Sequence, residues 1–238
     1  MTISEFARKE LKNLKGKPLK DKLEHIATYY WIPIVTVVAL AVFVGFISHQ
    51  ISTKKETVLF GYCINASENQ HSVNFPKEFA AHAHTGEDQE ALIIPNLRTT
   101  DVAFGDTMQA LSIHVAAADV DFIATDIETA RTLVQTDFFC DLSEKMTQEQ
   151  LQKLSPYLLY AERSELPADN SPNTQAPPLP KLAKADALTD PVPVALNLKT
   201  DSLLSKAYTF PEGDLVLLIM HNAPHMDMLQ SFLDYILA

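Results

Sequence analysis

At 238 residues, 47% hydrophobic and 21% charged, the chain has the make-up of a folded protein with room for one domain of moderate size plus appendages, which excludes a disordered polymer. Its charge is unevenly placed: residues 1–24 hold seven Lys/Arg against four acids, and the remainder holds twelve basic and twenty-six acidic residues, net −14. A body that acidic repels phosphates, and no basic patch with interleaved aromatics offsets it, so nucleic acid is excluded as a partner.

Residues 1–28 read as a basic, cytoplasmic segment. Thr2 and Glu5 fit a capping box, and Ile3, Phe6, Ala7, Glu10, Leu11 and Leu14 lie near one helical stripe with Arg8, Lys9, Lys12 and Lys15 off it. Such a helix can lie on an anionic inner leaflet; a solvated, positively charged tail is the equal alternative. Residues 29–51 follow as a transmembrane helix. The run "WIPIVTVVALAVFVGFIS" (31–48) contains no charge, and about twenty helical residues cross a hydrocarbon core of about 30 Å. Tyr29, Tyr30 and Trp31 stand at its start, where amphipathic rings favour the headgroup level, and Lys54 and Lys55 close the far end. A cleaved signal peptide is the competing reading, but its apolar region is shorter and ends at a small-residue cleavage site, which "VGFISHQIS" lacks. Seven basic residues before the span against two after it place the N-terminus in the cytoplasm and residues 56–238 outside.

Beyond the anchor the hydrophobic period alternates between strand and helix. Strands are expected at 57–64, 91–95 and 120–125, with helices from Asn74 and from Asp106 to Ala117. Thr125 with Glu128 fits a capping box, and Ile127, Ala130, Leu133 and Val134 form the apolar face behind it. Thr147 and Gln150 repeat that signal ahead of Leu151, Leu154 and Leu158. Between 163 and 193 the pattern dissolves into an exposed loop holding seven of the chain's fourteen Pro residues, a composition that excludes central strand. Strands return at 192–198 and 214–220, and Leu229, Phe232, Leu233, Ile236 and Leu237 mark one face of a terminal helix. Strands alternating with helices predict an α/β fold, a mainly parallel sheet in three layers.

The succession "AAADVDFIATDIETARTLVQTDFFCDLSE", with the later "PVPVALNL" and "DLVLLIMHNAPHMDMLQSFLDYIL", resembles the bacterial extracytoplasmic solute-binding proteins of the type 2 periplasmic-binding fold. The resemblance covers roughly residues 57–238. It implies a reduced version of that fold, held at the membrane, with a small ligand and a membrane transporter or other membrane protein as partner. Sugar binders of the family stack pyranose rings on aromatic faces, yet the chain's single Trp is Trp31 in the anchor. Tyr62, Tyr157, Tyr160 and Tyr208 are the candidate aromatic walls, and each also fits an ordinary core or rim position.

The chemistry-bearing residues are sparse. His221 and His225 are the candidate metal pair, although Pro224 between them marks a helix start and the imidazoles need not share a face. His82 and His84, at i, i+2, point apart, and no Cys or carboxylate completes a zinc pattern. Cys63 and Cys140 are either free thiols or, in an oxidising exterior, a disulfide. Asp119 and Asp121 read as boundaries of a buried strand, and Asn65-Ala-Ser matches a short glycosylation pattern. No nucleophile elbow and no phosphate-cradling loop occurs, so no enzyme and no cofactor is expected. The expected function is a membrane-anchored, solute-binding-like module; the alternative is an interaction protein that docks a membrane partner.

Overall fold

The computed structural model describes residues 18–21, 24, 28, 31–97, 103–136, 138–166, 179–198, 202–210 and 215–238. Tyr29 and Tyr30, the basic amphipathic segment up to residue 17 and the middle of the Pro-rich loop lie outside them. The chain divides into two compact units between Lys54 and Lys55.

The first unit contains helix α1 (Trp31–Thr53), 23 residues long. Nineteen of them, Trp31–His49, are apolar enough to cross a membrane, and none of that stretch is buried in the protein. Trp31, the first described residue of this helix, is about half exposed, while Lys54 and Lys55 follow its end as exposed residues. Thr36 spends its hydroxyl on the carbonyl of Ile32, 2.9 Å away, so the helix presents no unpaired side-chain donor there.

The second unit is an α/β domain built on a six-stranded sheet. Strand β1 (Glu56–Ile64) leads through the short β2 (Ser67–Glu68) to helix α2 (Phe75–His82), then to β3 (Gln89–Leu97), α3 (Ala103–Ala117) and β4 (Phe122–Thr125). Helices α4 (Ile127–Leu133), α5 (Leu142–Lys145) and α6 (Gln148–Leu154) precede β5 (Leu158–Glu162). Two single-turn 3-10 segments, Arg163–Glu165 and Ala185–Ala187, flank the Pro-rich stretch before β6 (Pro191–Asn197). Helix α7 (Leu203–Ala207), β7 (Tyr208–Thr209), β8 (Val216–Ile219) and α8 (Met226–Ile236) complete it.

The strand order is β3-β1-β4-β8-β6-β5, and β2 pairs with β7 in a separate two-stranded ribbon. The pairs β1–β3 and β1–β4 are parallel, whereas β4–β8, β8–β6 and β6–β5 are antiparallel. The sheet is therefore mixed, correcting the expectation of a mainly parallel one. Runs such as "VALNL" and "LVLLI" are buried on both faces, so their apolar pattern is the same whichever way the strand points.

Two cores lie on the two sides of the sheet, fed alternately along β1, β4 and β8, whereas β6 sends Val192 and Val194 to one and Leu196 to the other. Leu59, Cys63, Phe122, Leu196, Leu217 and Ile219 pack under Phe75 and Phe79 of α2 and under Leu229, Phe232, Leu233 and Ile236 of α8. Phe60, Tyr62, Ile123, Val194, Val216 and Leu218 face the other way, against Leu111 and Val115 of α3 and Ala130 and Leu133 of α4. Helices thus cover both faces of the sheet in three layers.

Three local expectations change. The cap of α4 is Asp126 rather than Thr125, its carboxylate accepting from the Thr129 amide. Helix α6 has the expected Thr147/Gln150 capping box but stops at Leu154, and Leu158 opens β5 instead of extending the helical face. Finally Pro191, read as loop, and Pro193, where the expected loop and the expected strand 192–198 overlap, lie in β6 opposite Glu162 and Tyr160 of β5. The strand tolerates them because β8 pairs only with Leu196 and Asn197, so at the prolines no ladder bond toward β8 is lost.

Candidate functional site

Strands β1 and β4 are adjacent and parallel, and the chain leaves their carboxyl ends in opposite directions, toward α2 and β3 from one and toward α4 from the other. Crevices at such points are where open α/β sheets bind ligands. A partly buried polar cluster lies at this switch point. Asn65, just past β1, has φ of 60°, a left-handed conformation that Asn tolerates better than most residues. Its Nδ2 donates to Asp126 Oδ2 at 2.6 Å and to Thr129 Oγ1 at 3.0 Å. Thr129 in turn donates its amide to Asp126 Oδ1 at 2.8 Å and its hydroxyl to Oδ2 at 2.8 Å.

Burial by itself would raise the Asp126 carboxyl, but the bonds from Asn65 and from the Thr129 amide and hydroxyl outweigh it and hold the group below its ordinary range. A charged carboxylate with both oxygens engaged is a poor proton acceptor. Its work is to tie the ends of β1 and β4 to the first turn of α4.

The amino end of β4 carries a second knot. Asp121 is fully buried, and its Oδ2 accepts from the Phe60 amide at 2.8 Å while Oδ1 accepts from the His225 amide at 2.8 Å. The His225 Nδ1 lies 3.0 Å from the same Oδ2. Because His225 is the cap residue of α8 and makes no side-chain cap bond of its own, Asp121 captures an amide at that terminus from across the sheet. Nearby, the Nδ1 of His221 lies 3.1 Å from the Phe138 carbonyl, and that of His114 lies 3.0 Å from Asp119 Oδ2.

The expected site residues distribute as follows. His221 and His225 each turn Nδ1 to a different oxygen, and among the described residues no three His, Cys, Asp or Glu side chains gather as metal ligands. Tyr62 is buried on one face of the sheet, 5.0 Å from Phe60 and 5.7 Å from His114 between ring centroids. Tyr208 is buried on the other, edge-on to Phe75, with Tyr157 and Tyr160 half-buried around the same core. The four tyrosines therefore do not form one aromatic wall. Burial raises the phenols of Tyr62 and Tyr208, which suits hydroxyls held neutral within packed cores.

His82 lies 4.8 Å from the ring of Tyr235, tilted against it, and His84 stands in a left-handed turn beyond α2. Cys63 and Cys140 are both free thiols. The amide of Asn65, the potential glycosylation acceptor, is spent on Asp126 and Thr129. Asp126, Asn65 and Thr129 were not anticipated as a group. The Asp-x-x-Thr spacing at 126–129 signals a cap, but nothing local to it reveals that Asn65, sixty-one residues earlier, arrives at the same carboxylate. Neither a family model nor a curated protein nor a solved structure matches the chain.

Proposed function

We propose that this chain is a single-pass membrane protein whose α/β domain, presented outside the cytoplasm, works by docking onto a membrane partner. The apolar length of α1 and the excess of basic residues ahead of it support the anchor and its orientation. The observation that carries the docking reading is the saturation of the cluster at the β1/β4 switch point. Asp126 has both oxygens bonded within the chain, in a domain built as one compact unit on one large sheet. Two-lobed solute binders capture ligands between lobes; here the polar groups at the crevice join strands to one another.

A solute-binding-like module, shortened from the type 2 periplasmic-binding fold, is the second reading. The position of the cluster at a switch point and the left-handed Asn65 favour it.

Crosslinking the full-length protein in its native membrane before detergent extraction tests the first reading. A discrete adduct heavier than the chain is expected, and recovery of the chain alone would overturn docking. Thermal unfolding of residues 55–238 with sugars, amino acids, peptides and polyamines tests the second. A ligand at about a hundred times its dissociation constant adds about 2.7 kcal/mol, so a midpoint that climbs with concentration transfers the function to solute capture.

A further inference from the structure

No further inference is drawn: the strongest candidate, the histidine-bearing end of the sheet where Asp121 holds His225 and where Asp119 Oδ1 and Asn222 Oδ1 are left without a partner, otherwise makes its bonds between the chain's own elements, and nothing in the structure shows what would occupy it.

Discussion

Gly61 sits directly opposite Phe122 in the parallel register of β1 and β4, and a Cβ placed on it would lie 2.1 Å from the tip of that ring. The ring has nowhere to retreat, since Phe122 is fully buried and stacks on Phe232 at 4.8 Å. Gly61→Ala should cost about 1–3 kcal/mol in chemical denaturation through overpacking, and adding Phe122→Leu should return part of the loss. A neutral Gly61→Ala would show that the two strands do not approach this closely. Asp126 makes a separate prediction about pH. Its carboxyl is held low in the folded chain, so the stability it contributes is complete above the unfolded carboxylate value and is lost as pH falls through the lower folded value. Asp126→Asn should cost about 1–3 kcal/mol at neutral pH and flatten the fall of the melting temperature below about pH 4. Burial also pushes the Cys140 thiol up to about 11, with Lys145 pulling the other way, and drives Cys63 higher still. Native protein at about pH 8 should therefore react far more slowly with a disulfide reagent than unfolded protein, with Cys140 the first thiol to gain reactivity as pH rises.

Among the elements, α8 buries Leu229, Phe232, Leu233 and Ile236 against the sheet and α2. Phe232 is fully buried and meets Phe79 at 5.1 Å, Phe75 at 6.2 Å and Phe122, so one side chain links α8 to α2 and to the sheet. Phe232→Ala should remove about 3–5 kcal/mol, read as a lower denaturation midpoint and as faster amide exchange in α8 and β4. The faces of α4 and α8 and the capping box of α6 were legible because each rests on residues within one or two turns of one another. Strand direction was not, because β4 and β8 show the same apolar run while pointing opposite ways. Nor were β2 and β7, each two residues long, whose pairing of Ser67 with Thr209 joins positions far apart in the chain. Leu158 illustrates the boundary between the two cases. It continues the helical spacing of Leu151 and Leu154, but pairing with Leu196 of β6 takes it into a strand.

For the whole molecule, the division at Lys54 predicts two separable behaviours. Residues 55–238 should be soluble and unfold in one cooperative transition, whereas the full chain should stay with membranes through an alkaline wash. Release of the full chain by that wash would remove the anchor from the account. What the amino-acid order alone determined was the apolar run, the steep change of charge on either side of it and the α/β alternation of residues 55–238, all properties of neighbouring residues and of simple counts. The tertiary structure alone decided that the sheet is mixed, that Asn65 meets Asp126, and that Asp121 reaches across to the cap of α8. Those contacts join residues sixty or a hundred positions apart, and a carboxylate gives no local sign of which distant amide it will satisfy until the sheet has brought the two together.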